Sequence, residues 1–138
     1  MSSWDTGPFD NDGAMDFVYR LEQAGPDGTP EGIRSGMAAV VEVPGYVSAA
    51  QMNVAVAAAC LIAAMSGARN AITSPFVRDW LTVAAFAPPP DFRELAQAVL
   101  DRAFQPEDNE WYRLWEADGA LERVRRGLEP FQQALTPV

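Results

Sequence analysis

The chain has 138 residues and a mass of 15.0 kDa, which is the usual size of one domain. Hydrophobic residues make up 49% and charged residues 21%, a composition that excludes a disordered chain. There is no histidine and a single cysteine, Cys60, which excludes an internal disulfide, histidine-based zinc sites and Ser-His-Asp or Cys-His catalysis.

The charge balance is strongly acidic. The net charge is −9, from 19 acidic and 10 basic residues, and every base is an arginine. Such a surface repels phosphate backbones and anionic lipid headgroups, so we expect neither nucleic acid nor a membrane as a partner. It favours a protein that meets a basic partner. The N-terminus carries no recognisable secretory leader, and we expect a cytoplasmic location.

The first predicted helix lies near the N-terminus. Asn11 and Asp12 are capping residue types that precede a helix over about residues 13–24, which a Gly-Pro pair ends. Residues 1–12 are expected to pack on the core through Trp4 and Phe9, because aromatic side chains bury large areas. The 3–4 spacing of a helix is followed by Met15, Val18, Tyr19 and Glu22, with Phe17 and Leu21 on the adjoining edge.

The middle of the chain predicts the central helix. Thr29, as a cap before a proline, opens a helix over about residues 30–42. Ser48 forms a capping box with Gln51, and the helix that it begins runs until just before Gly67. This stretch is the longest apolar one, and its alanines let neighbouring helices approach closely. We therefore expect it at the centre of the fold.

The C-terminal half predicts three more helical stretches. Ser74, again before a proline, caps a helix that ends at about residue 86. After three consecutive prolines a helix covers about residues 91–104, and a last stretch covers about residues 110–134. Gly119 is expected to divide this last stretch.

Strand signals are nearly absent, and no hairpin signal occurs. We therefore predict an all-α fold, a single compact domain of five to seven helices around the central Ala-rich helix. The domain spans residues 1–138, with an ordered N-terminal segment at 1–12 and a frayed tail at 136–138.

The first candidate site is an acidic cluster formed by Asp10, Asn11, Asp12 and Asp16. Carboxylate and amide oxygens are the ligands that Ca²⁺ and Mg²⁺ prefer, so Asp12 and Asp16 are candidate binding residues. A calcium loop would need a glutamate at position 21, where this chain has a leucine. We favour helix capping by Asn11 and Asp12 over a metal site.

The second candidate site lies at the start of the last helical stretch. Trp111 and Trp115 are four residues apart and share a face of the helix, and Glu110 precedes them. Glu110 and Trp115 are candidate binding residues for a sugar or a peptide, since tryptophan is a frequent interface anchor. Core packing is the alternative that we favour for this cluster. Cys60 lies among alanines with no nearby activating group, which indicates a buried hydrophobic side chain.

Three segments carry a family resemblance: WDTGPFDNDGAMDF at residues 4–17, the alanine-rich run at 55–64, and NEWYRLWE at 109–116. Over nearly the whole chain they resemble DUF4259, a bacterial family of unknown function that opens with W-G-x-G-x-F-x-N-D-x-A-x-D. Asp5 stands where the family usually has glycine, and Cys60 where many members carry glutamate. If that glutamate is catalytic, this protein lacks the activity. The resemblance implies a helical fold and no particular activity, ligand or partner.

Taken together, the composition favours a small acidic protein that acts through protein–protein interaction without catalysis. Its sharper form is an inhibitor or immunity-type protein for a basic partner, with no cofactor and no metal. The alternative is a carboxylate-dependent enzyme or divalent-metal binder that uses the N-terminal Asp and Asn cluster.

Overall fold

The structure is a computed structural model that describes residues 6–136. Helical residues make up 73% of this range, and no strand occurs in it. The only β-type contact between positions 6 and 136 is an isolated parallel bridge between Val47 and Asn109. The predicted all-α fold, with five to seven helices in one compact domain, is confirmed.

The helices are α1 (Asp12–Ala24), α2 (Thr29–Val41), α3 (Ala49–Ala63), α4 (Pro75–Ala84), α5 (Pro90–Ala103), α6 (Glu110–Ala117) and α7 (Leu121–Leu135). After α3 the chain continues through a π-type turn at Ala64–Ala68 and a 3-10 turn at Arg69–Ala71. Gly67 has a φ of 134°, which L side chains rarely adopt, so this glycine ends the apolar stretch as predicted. Gly119, with a φ of 68°, separates α6 from α7, also as predicted.

The central helix is α3. Every residue from Ala55 to Ala63 is buried, as expected of a helix that is apolar on all sides. The helices α1, α2, α5, α6 and α7 all pack against it. By length and composition alone the stretch Ala49–Ala71 is apolar enough to cross a membrane, but 61% of its most apolar window is buried within the fold.

Two local devices allow this packing. The predicted capping box begins α3: the Ser48 hydroxyl accepts from the Gln51 N–H at 3.1 Å, and the Gln51 side chain accepts from the Ser48 N–H at 3.0 Å. On α2, Gly32 and Gly36 leave room for neighbouring helices. A Cβ atom at Gly32 would lie 2.5 Å from Leu21 Cδ2, and one at Gly36 would lie 3.1 Å from a Val54 methyl carbon.

The buried face of α1 differs in part from the set of residues that follows the 3–4 spacing. Tyr19 is 45% exposed and Glu22 is also exposed. An unpaired carboxylate is costly in an apolar core, whereas Phe17 and Leu21, four residues apart, form a continuous apolar ridge. Tyr19 and Glu22 therefore lie on the outer face. The buried residues of α1 are Ala14, Phe17, Val18 and Leu21.

Two predicted helix starts are also shifted. Asn11, and not Asp12, caps α1: its side-chain oxygen accepts a 2.8 Å hydrogen bond from the Ala14 N–H, while Asp12 is the first residue of the helix. Thr29 lies inside α2 instead of capping it. Its hydroxyl donates to the Gly25 carbonyl at 3.0 Å, which closes the α1–α2 turn. The predicted Ser74 cap of α4 is confirmed, with a 3.4 Å hydrogen bond.

Candidate functional site

The N-terminal acidic cluster builds a local turn. The Gly7 N–H donates to the Asp10 carboxylate at 2.9 Å, and the Asp10 N–H donates to the Gly7 carbonyl at 3.1 Å. Because Asn11 caps α1, two of the four oxygen-bearing side chains are committed to the backbone. Asp12 and Asp16 are exposed on α1. In residues 6–136, no three Cys, Asp or Glu side chains are grouped so that they could hold a metal ion.

The aromatic residues near both chain ends pack as structural residues. Phe9 is buried, as predicted, and Trp4 lies outside the described residues. The Trp111 ring is buried between Phe104 and Trp115, with edge-to-face centroid distances of 5.7 and 6.4 Å. The half-buried Trp115 thus joins an aromatic stack.

The N-terminal turn and the tryptophan pair meet. Residues 6–8 and Asn11 surround, together with Trp111 and Trp115, a cavity of only about 10 Å³. That is close to the minimum volume that holds one water molecule. The segments 4–17 and 109–116, which both carry the family resemblance, therefore contact each other here. Their junction is packed and offers no room for a sugar or a peptide. Asp12 and Asp16 do not line it.

Asn109 joins two helices and was not singled out by the sequence analysis. It is fully buried, and its side-chain NH₂ lies 2.9 Å from the Ala103 and Gln105 carbonyls and 3.2 Å from that of Arg102. Its side-chain oxygen accepts from the Tyr112 N–H at 2.9 Å. Asn109 therefore closes the carbonyl end of α5 and caps α6. An asparagine just before a helix is a capping signal, which was available in the sequence.

Glu110 has a structural contact in place of the proposed ligand contact. Its carboxylate accepts a 2.7 Å hydrogen bond from the Ala49 N–H, at the first residue of α3. A negative group is favourable at this position because the N-terminus of a helix carries partial positive charge. The adjoining backbone is paired as well, since the Glu110 N–H donates to the Val47 carbonyl at 3.1 Å.

Cys60 lies in the middle of α3 and is fully buried. Burial raises the pKa of the Cys60 thiol well above its usual value, because the thiolate loses its hydration. A buried, protonated thiol is a poor nucleophile. The interpretation of Cys60 as a small hydrophobic core residue is confirmed.

A groove between α1 and α4 is lined by both apolar and acidic side chains. It encloses about 320 Å³. The Tyr19 ring on α1 contacts the Phe76 ring on α4, with centroids 4.8 Å apart, beside this groove. Its lining residues come from α1, the α1–α2 turn, α2 and α4, and they are Glu22, Gly25, Pro26, Thr29, Phe76, Asp79, Trp80, Val83 and Ala84.

The lining combines apolar surface with uncompensated acids. Val83 is 78% exposed, so the fold leaves this aliphatic side chain of α4 in solvent. Glu22 and Asp79 are the charged residues that line the groove, and neither forms an ion pair with any residue between 6 and 136. We call this surface, defined by the lining residues above, the α1–α4 groove.

Two other concave surfaces differ in chemistry. A shallow groove of about 360 Å³ between α1 and α2 contains the base Arg20 and lies over the close contacts of Gly32 and Gly36. A third, of about 200 Å³ near the C-terminus, is lined by one acid, Asp101, by three uncharged polar side chains and by two leucines that are buried in the core. Neither brings acids and exposed apolar surface together as the α1–α4 groove does.

Comparisons with known proteins identify the family. The sequence model described as "Domain of unknown function (DUF4259)" matches residues 2–126 of the 138. No curated protein and no solved structure matches the chain. Because the match covers most of the sequence, the chain belongs to the DUF4259 family.

Proposed function

We propose that this protein acts by binding another protein, without catalysing a reaction, and that the partner is basic. The observation that carries the proposal is the α1–α4 groove, where apolar surface adjoins two carboxylates that have no cationic partner among residues 6–136. The sharper form of the proposal is an inhibitor or immunity-type protein, which neutralises its partner by covering part of the partner's surface.

The apolar part of the groove supports a protein ligand. Interaction sites on soluble proteins combine apolar contacts with a polar rim, and the groove has this composition on a small scale. Phe76, which is half-buried, adds aromatic area to the groove, whereas Trp80 lines it with a side chain that is largely buried in the core. Val83 adds an aliphatic side chain that the fold itself leaves in solvent.

The charge supports a basic partner. Glu22 on α1 and Asp79 on α4 both line the groove, where a cationic group would find two acids and no competing base. The net charge of −9 adds a long-range attraction that raises the association rate with a basic protein.

A second copy of the chain suits the groove less well. A two-fold symmetric dimer through this surface would bring Glu22 and Asp79 of one copy towards the same residues of the other. Like charges facing each other across an interface are destabilising. The alternative of a metal-dependent or carboxylate-dependent enzyme also has less support, since Asp10 and Asn11 are engaged by the backbone.

Affinity capture with a matched pair of variants tests the proposal. Val83→Arg places a cation in the groove, and Val43→Arg makes the same change at a valine that is 60% exposed and does not line the groove. Both variants should fold, because surface substitutions usually change stability by less than about 0.5 kcal/mol. We expect the tagged natural sequence and Val43→Arg to capture the same basic protein from an extract of the cells that produce this chain. Val83→Arg should no longer capture that protein. Capture of no basic protein, or equal capture by both variants, would contradict the proposal.

A further inference from the structure

We infer that the segment seated in the α1–α4 groove is a helix of the partner, and that this helix presents an apolar side chain flanked by arginine or lysine residues. The inference rests on the proposed function and adds the kind of segment that the groove takes.

The position of the two acids sets the charge pattern of the ligand. Glu22 belongs to the last turn of α1 and Asp79 to the middle of α4, so the carboxylates come from two different walls of the groove. Apolar surface from Phe76 and Val83 lies in the same lining. A ligand that fills the groove therefore needs an apolar group with cationic groups on both sides. Arginine and lysine fit because their aliphatic stems cover apolar surface while the charged ends stay in water.

The backbone chemistry favours a helix over an extended peptide. Strand addition, one mode by which an extended peptide binds, needs a free sheet edge, and residues 6–136 contain no sheet that could offer one. Most of the lining belongs to helices, whose backbone groups are already hydrogen-bonded along most of their length, and the α1–α2 turn supplies Gly25 and Pro26. A groove between helices binds side chains, and a helical ligand supplies them at i, i+3, i+4 and i+7.

The volume of the groove limits how many side chains of the ligand can enter it. About 320 Å³ is at the lower end of the roughly 300–1,000 Å³ range of ligand pockets. It accommodates a few side chains of a short segment and is too small for the whole face of a domain. Binding by such a segment depends on its charge pattern as well as on its apolar anchor, so it should weaken as salt is raised.

Three labelled helical peptides of about four turns, or roughly 14 residues, test the inference by fluorescence anisotropy with the full chain. The first carries leucines at i, i+3, i+4 and i+7 with arginines beside them. The second replaces each arginine with glutamate, and the third replaces each leucine with serine. The groove variant Glu22→Gln/Asp79→Asn is compared with the control Glu107→Gln/Asp118→Asn, which changes two exposed acids that do not line the groove.

We expect only the first peptide to bind, with binding about fivefold weaker in the groove variant, as expected when two solvent-screened ion pairs are lost, and unchanged in the control. The inference is overturned if no peptide binds, if the serine peptide binds equally well, or if the groove variant binds as the natural sequence does.

These failures are distinguishable from failure of the proposed function. If the peptides fail while a basic protein is still captured in a manner that depends on Val83, the proposed function stands and the helical segment is wrong. If the chain alone forms a dimer in sedimentation that Val83→Arg dissociates, the groove binds a second copy and both proposals are wrong.

Discussion

The carboxylate of Glu110 accepts a 2.7 Å hydrogen bond from the backbone N–H of Ala49, which lies 61 positions earlier in the chain. Beside it, the Val47 N–H donates to the Asp108 carbonyl at 2.8 Å. These contacts attach the start of α6 to the start of the central helix α3. Glu110, one of the candidate binding residues from the sequence, thus makes a structural contact within the fold.

Removal of the Glu110 carboxylate should lower stability. Glu110→Ala leaves the Ala49 N–H without its charged acceptor, and we expect a loss of roughly 1–2 kcal/mol in the free energy of unfolding. Glu110→Gln keeps an acceptor oxygen and should lose only the charge contribution, about 0.3–1 kcal/mol. Urea denaturation measures both. Glu116→Ala, at an exposed position of the same helix, is the control and should change little. If Glu110→Ala leaves the free energy of unfolding unchanged, the contact contributes nothing in solution.

Substitution of Asn109 should lower stability more than substitution of Glu110, because Asn109 is fully buried. Asn109→Ala removes the donor that serves the α5 carbonyls and the acceptor that caps α6, and we expect a loss of roughly 2–4 kcal/mol. Asn109→Asp keeps the acceptor for Tyr112 but places a carboxylate beside three carbonyl oxygens.

Burial and these carbonyls would raise the pKa of the introduced aspartate in the folded state. Its folded pKa would then exceed its unfolded pKa of about 3.9, so the penalty should appear as pH rises through about 4 and be relieved below that. Thermal melts of Asn109→Asp and of the natural sequence across pH measure this difference. Asn70→Ala, at an exposed asparagine, is the control. Equal stability of Asn109→Asp and the natural sequence at neutral pH would show that the side chain is not buried as described.

Two helical glycines should respond to alanine with opposite sign. At Gly127 in α7 an added Cβ meets nothing within 4 Å, so Gly127→Ala should stabilise by about 0.5–1 kcal/mol through helix propensity. At Gly32 the added Cβ would lie 2.5 Å from Leu21 Cδ2, and Leu21 is itself buried. Overpacking of roughly 1–3 kcal/mol should outweigh the propensity gain there. If thermal unfolding shows both variants to be stabilised, the close approach of α1 and α2 is not real.

At the start of α1, two neighbouring residues contribute to stability in different ways: Asn11 caps the helix, and Asp12 interacts with the helix dipole. Asn11→Ala removes the 2.8 Å hydrogen bond to the Ala14 N–H and should cost roughly 0.5–2 kcal/mol. Asp12→Ala, one position later, should cost only about 0.3–1 kcal/mol, because Asp12 is exposed and interacts with the helix dipole alone. Chemical denaturation at low salt resolves the two. The reverse order would restore Asp12 as the cap.

The parts of the fold that could be predicted are those that depend on residues close together in the sequence. The capping box at Ser48, the Ser74 cap and the divisions at Gly67 and Gly119 each depend on residues within one or two turns of each other. The buried face of α1 was harder to predict, because Tyr19 and Glu22 fit the helical period as well as Phe17 does. Only the packing of α1 on α3 distinguishes the two faces.

The candidate site could not be predicted for the same reason. Glu22 and Asp79 are 57 positions apart in the sequence, and their convergence depends on how α4 is placed relative to α1 in the fold. Val83 was a partial signal, since it is an apolar residue on the side of α4 opposite the buried Val77 and Leu81. The helical spacing of apolar residues in α4 does not show that the exposed Val83 lies in the same groove as Glu22, an acid on another helix.

Site-specific photocrosslinking in the protein's own cells is the most direct test of the central claim, that the α1–α4 groove binds a basic partner. A photoreactive phenylalanine analogue replaces Val83 in one variant and Val43 in the other, both at exposed positions. We expect position 83 to crosslink to one basic protein, through a segment that contains arginine or lysine, and position 43 not to do so. Crosslinking to that protein from position 43 alone, or equal crosslinking from both positions, would contradict the central claim.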